Sequence, residues 1–144
     1  MVDVGDKPSN RRLAIASAEV KTRPETAEMI ERASLAKGDA LAVARVAGIQ
    51  AAKWTPFLIP LCHPLPIEKV GIDIKIDKKR GRIHLRATVQ TTAKTGVEME
   101  AIMAVSMAAI ALYDMAKSAD RGMVIGPIQL EEKQGGKSGA YNRK

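Results

Sequence analysis

The segment Leu61-Cys62-His63-Pro64-Leu65-Pro66 sets the chain's one cysteine beside one of its two histidines. A thiol and an imidazole can act as nucleophile and base, as metal ligands, or as hydrogen-bonding groups for a bound ring. Two adjacent ligands do not make a zinc site, and no further pair with suitable spacing follows. Pro60, Pro64 and Pro66 remove backbone donors, so the segment is read as a stiff extended loop rather than a helix interior or central strand. Neighbouring side chains of an extended loop point to opposite sides. That spacing predicts that Cys62 and His63 diverge, so that the loop offers one of them, with backbone groups, to a ligand.

A second group of candidates sits in "TGVEMEAIMAVSMAAIALYDMAK". Glu98 fits a capping box with Thr95, in which its carboxylate returns to the Thr95 amide. Glu100 has no such local reason, because it opens an almost wholly apolar helix. Asp114 and Lys117 close that helix. Three residues apart, they suit a surface pair worth about 0.2–0.5 kcal/mol, but an acid at the edge of a buried run also suits proton transfer. Fourteen residues separate Glu100 from Asp114, close to a whole number of turns and roughly 21 Å of helix rise. One small ligand cannot touch both on one chain. Either one of the two matters, or two chains build the site.

Three basic residues and a histidine complete the set. Lys37 precedes Gly38 and a helix start, which suits a phosphate cradle or, equally, a solvated turn. Lys133 ends the last strand and serves either tail solubility or a site. His84 lies on the wet face of a hairpin and reads as a solvated strand residue. "GGKSG" (135–139) lacks the spacing of a phosphate loop, and no helix follows it.

The elements that position these groups follow from periodicity. Alternation in 13–22 predicts a strand. Pro24, with Glu25 and Glu28, opens a short helix to about Ser34. Asp39 caps a second helix that the Thr55-Pro56 bond ends. Its small residues Ala47, Gly48, Ala51 and Ala52 predict close approach of another backbone. Val70, Ile72, Ile74 and Ile76 alternate with polar residues, as do Ile83, Leu85, Ala87 and Val89; with "KKRG" between, they make a β-hairpin. A long core helix spans 95–120 and a strand spans 123–133. The order is strand, helix, helix, strand, strand, helix, strand. Without the extra helix this is an α+β, ferredoxin-like split β-α-β pattern with helices packed on one face of an antiparallel sheet. One domain over 1–144 is expected, with flexible ends at 1–10 and 134–144.

Composition bounds the function. The 144 residues are 46% hydrophobic but only 3% aromatic, so the core is aliphatic. Basic residues outnumber acidic ones 23 to 16, a net charge of +7, which favours anionic partners. There is no run of about 18 apolar residues to span a membrane. A lone cysteine and a polar beginning point to a reducing cytoplasm.

The segments "MVDVGDKP", "AGIQAAKWTPFLIPLCHPLPIEKV", "KTGVEMEAIMAVSMAAIALYDMAK" and "MVIGPIQLEEKQGGKSG" resemble the cyclic pyranopterin monophosphate synthase family of molybdenum cofactor biosynthesis nearly end to end. The resemblance implies a lyase acting on 3′,8-cyclo-7,8-dihydroguanosine 5′-triphosphate. The purine is rearranged to a pterin, a cyclic phosphate closes, and pyrophosphate leaves. It also implies a ferredoxin-like hexamer, a trimer of dimers, with the active site at a dimer interface. It places substrate-binding residues at Leu61, Cys62, His63, Met99, Glu100 and Lys133, and catalytic residues at Asp114, Lys117 and Lys37. Where the family pattern often has serine after the last lysine, this chain has Gln134. No cofactor and no resident metal are expected. Lysines would supply fixed positive charge to the phosphates, and Asp114 with a lysine of lowered pKa would move protons. If Lys37 and Asp114 reach one site from different chains, mutants in each should rescue one another.

Two rival readings remain. An RNA-recognition module shares this element order and suits the charge, yet such modules stack bases on sheet aromatics, and 70–90 contains none. No nucleic-acid partner is therefore expected. A non-catalytic ligand-sensing domain would not need Asp114, Lys117 and Lys37 together.

Overall fold

The computed structural model describes residues 1–137 and 139–144. The elements are β1 (Asn10–Lys21), α1 (Pro24–Glu31), α2 (Ala40–Leu58), β2 (Ile67–Asp77), β3 (Arg82–Ala93), α3 (Glu98–Ala116), β4 (Val124–Gln134) and β5 (Tyr141–Asn142). The sheet order is β2-β3-β1-β4-β5, and every neighbouring pair is antiparallel. With α2 and α3 packed on each other and on the sheet, this is the expected α+β ferredoxin-like fold. The small β5, in the tail read as flexible, pairs with Glu132 and Lys133 of β4.

Side-chain size explains the tight packing of the helix layer. Ala14, Ala16, Ala18 and Val20 of β1 alternate onto the covered face and are buried, as are Ile83, Leu85, Ala87 and Val89 of β3. Above them α3 lays down Ala101, Ala104, Val105, Ala108 and Leu112, all fully buried. The predicted close approach of α2 occurs at Gly48. A Cβ there would stand 2.8 Å from the Ala104 carbonyl of α3 and 3.0 Å from Ile72 Cδ1. The hairpin turn depends on Gly81, whose φ is +60°; a side chain would run into the Thr22 carbonyl.

Four local expectations are corrected. Helix α2 does not stop before Pro56 but runs through it to Leu58. Pro56 forgoes one hydrogen bond, and the helix resumes at once, the Ile59 amide donating to Thr55 O at 2.9 Å. Helix α3 starts at Glu98, with Val97 at the cap and no side-chain cap bond, so the Thr95 capping box does not form. It ends at Ala116 rather than 120. By length and mean hydropathy (1.5), α3 would also suffice to cross a membrane, contrary to the sequence reading; half of that window is buried inside this fold.

Candidate functional site

The sequence candidates fall into two groups at opposite ends of α3. The first lies where the chain leaves α2 and enters α3. The loop begins as a tight turn, the Cys62 amide donating to Ile59 O at 3.1 Å, and only then extends through the prolines. Leu61, Cys62 and His63 all line one cavity of about 270 Å³ with Leu65, Thr95, Gly96, Glu98, Met99 and Glu100. Five of the sequence candidates thus meet in one place.

Glu100 is nearly fully buried. Burial pushes its carboxyl pKa up, its own amide offsets this in part, and the charge of Glu98 adds to the rise. Burial, then Glu100's charge, also raises the Cys62 thiol, so the cysteine is a thiol rather than a ready thiolate. Glu98, freed from capping, faces Lys133 Nζ at 3.4 Å. Sheet register explains why. Lys133 pairs with Ala14, whose side chain lies on the helix-covered face, and directly opposed residues share a face.

Beyond the Thr95-Gly96-Glu98 wall lies a second lobe of about 260 Å³. Lys7, Arg12, Lys94, Lys133 and Lys137 line it, with Glu98 its one acid. Arg12 is buried, donating from Nε to Ala93 O and from Nη2 to Lys94 O, both at 3.2 Å. Gly135 and Gly136, at φ +88° and +92°, carry the chain across it; a Cβ on Gly136 would collide with Arg12 Nη1. Sequence reasoning missed Arg12. The signal was there: it shares the parity of Ala14, Ala16 and Ala18, an arginine on the buried face of a strand.

The second group is at the far end of α3. Lys37 Nζ lies 2.6 Å from Asp114 Oδ2 and donates to Asp114 O at 3.1 Å; Lys117 Nζ lies 2.8 Å from Asp114 Oδ1. All three side chains are about half exposed. Hydrogen bonds from Lys117 and then Lys37 hold the Asp114 pKa down at about 2. The same bond raises Lys117, so the expected lysine of lowered pKa is not found there. The phosphate cradle considered for Lys37 is also not formed. Asp39 already accepts from the Leu41 and Ala42 amides at 3.0 Å, capping α2 with a negative charge. Lys37 and Asp114 thus meet within one chain. His84, by contrast, sits half exposed on the outer sheet face, 3.4 Å from Glu19.

Fold and geometry together define a class: a ferredoxin-like α+β protein with a two-lobed cleft at one sheet end and a lysine-aspartate-lysine cluster at the other. Within that class the chain belongs to the MoaC family, whose pattern it matches over residues 1–136. It is 53% identical over 143 residues to a cyclic pyranopterin monophosphate synthase of Thermomicrobium roseum, covering 99% of this chain and 86% of the relative. It is 54% identical over 144 residues to the protein of that name from Pelotomaculum thermopropionicum, covering 100% and 85%. A third, from Parvibaculum lavamentivorans, is 56% identical over 144 residues, covering 100% and 90%.

Proposed function

We propose that this chain is a cyclic pyranopterin monophosphate synthase. It converts (8S)-3′,8-cyclo-7,8-dihydroguanosine 5′-triphosphate to cyclic pyranopterin monophosphate with release of pyrophosphate, an early step of molybdenum cofactor biosynthesis. The observation that carries this reading is the juxtaposition of a ring-sized cavity with a polycationic lobe across the Thr95–Glu98 wall. The relatives' shared name supports it. The purine-derived ring occupies the lobe of Leu61, Cys62, His63, Met99 and Glu100. The phosphates occupy the lobe of Arg12 and Lys133, where fixed charge and the positive start of α3 favour an anion. Glu100, whose carboxyl pKa is raised by burial, is suited to carry a proton in that lobe, where His63 lies beside it. Asp114, kept ionised, orients Lys37 and Lys117 as charged hydrogen-bond donors.

We further propose that the catalytic Lys37, Asp114 and Lys117 reach this cleft from a second copy of the chain. On one chain, Asp114 stands roughly 21 Å along α3 from Glu100. Helix α2 also leaves Val43, Val46, Trp54, Phe57 and Leu58 exposed, with Leu61 after it and Ile110 on α3. Such a face suits contact with another copy. A homohexamer, as a trimer of dimers with the site at the dimer interface, is the assembly we assign. No cofactor, nucleic acid or membrane enters this reading, and the place of action is the cytoplasm. The test is turnover of the cyclic triphosphate, generated in situ from GTP, with product followed by mass spectrometry. Pyrophosphate and pterin in equal amounts are expected. Tight binding of the substrate without turnover would instead favour the ligand-sensing reading.

A further inference from the structure

Residues 1–9 precede β1 as an arm that lines the cation lobe and a recess beside the ring lobe. Lys94 Nζ donates to Gly5 O at 2.6 Å. Val4 borders a recess of about 370 Å³ with His63, Pro64, Leu65 and Pro66, the lip of the ring lobe. Between these contacts the chain turns back on itself. The Lys7 amide donates to Val4 O at 3.1 Å, and the Gly5 amide donates to the Asp3 carboxylate at 2.8 Å. The turn delivers Lys7 into the cation lobe beside Arg12 and Lys133. Asp6, Lys7 and Pro8 then wall the outward continuation of that lobe with Arg12 and Gly136.

We propose that this arm is part of the working site. Lys7 binds the polyphosphate of the substrate, and Lys94 is a positioning residue that holds the arm in place through Gly5. The proposal rests on the reading of the cleft given above. Its physical ground is charge. Five cations around one cavity, balanced by one carboxylate, repel one another until a polyanion enters. The arm has little apolar anchoring of its own, since Met1 and Val2 are exposed. Its docking therefore responds to the charge in the lobe: bound polyphosphate draws Lys7 in, and release of pyrophosphate loosens it.

The experiment uses the full chain and inorganic anions, with no turnover needed. Hydrogen exchange of residues 1–9 is followed with and without tripolyphosphate, and binding is measured by calorimetry at several salt concentrations. Tripolyphosphate should protect the Gly5 and Lys7 amides. Lys7→Ala should weaken its binding about tenfold and flatten the salt dependence, as loss of one charge-assisted contact predicts. Lys7→Arg should restore most of it. Lys94→Met should abolish protection of the arm. Lys69→Ala, on the exposed side of β2, should change neither. The proposal is overturned if wild type binds no polyphosphate. It is equally overturned if binding leaves the arm's exchange unchanged and Lys7→Ala binds as well as wild type. Protection of the arm by tripolyphosphate in a protein that lacks synthase turnover would sustain the arm's role and count against the functional reading alone.

Discussion

Mixing two inactive variants tests the shared site directly. Asp114→Asn removes the charge that holds Lys37 and Lys117, and Lys133→Ala removes a cation from the phosphate lobe. Each variant alone should fold and assemble, because Asp114 and its lysines are half exposed and Lys133 is a partly exposed strand residue. Each should lose most pterin formation. If the proposed division holds, each site of a two-fold dimer takes one lysine-aspartate-lysine cluster from one chain and one cleft from the other. Random pairing of equal amounts then makes half of all dimers mixed. A mixed dimer has one doubly damaged site and one intact site, so about a quarter of wild-type activity should return. The geometry supplies an internal control. Lys37 and Asp114 touch at 2.6 Å within one chain, so Lys37→Ala mixed with Asp114→Asn should stay inactive. Activity is read after dissociation and reassembly, with exchange verified by mass-tagged subunits. Rescue by the control pair, or none by the Asp114–Lys133 pair despite verified exchange, would refute the division of the site.

Three further outcomes are expected. Cys62→Ser should keep activity within a few-fold of wild type, because a thiol of raised pKa serves as a contact and not as a nucleophile; loss to background in a folded protein would point to thiol chemistry. Glu100→Gln should raise Tm while lowering kcat. The folded pKa of Glu100 is raised, so its protonated form favours folding below the unfolded glutamate pKa, and that benefit fades as pH rises through the folded value; the gain in Tm should therefore vanish at low pH and grow as pH rises above the unfolded glutamate pKa. Gly48→Val should cost about 1–3 kcal/mol in denaturant unfolding, because its side chain would meet the Ala104 carbonyl and Ile72.

Local patterns were legible where local physics decides. The hairpin, the β1 strand and the apolar α3 follow from periodicity, and the small residues of α2 announced its contact with α3. The loop at 59–66 was recognisable as a special place because proline has few conformations. What was not legible was decided by contacts far apart in sequence. Glu98 pairs from the start of α3 with Lys133 of β4 instead of capping its own helix. Lys37 meets Asp114 across 77 residues, so no spacing rule could assign them to one chain. Pro56 shows the reverse case. A strong local stop signal is overridden because Thr55, buried and donating to Ala51 O at 3.0 Å, holds the helix on its course.

The exposed stripe of α2 also has an optical consequence. Trp54, the chain's single tryptophan, is 57% exposed and packs at a tilt against Phe57, with ring centroids 5.2 Å apart. The buried core contributes no indole signal to mask it. If a second copy covers this stripe, the indole passes from water into an apolar contact. Its emission then shifts to shorter wavelength, and collisional quenchers lose access. Dilution would reverse both changes. Under that reading the protein carries its own unlabelled reporter of assembly.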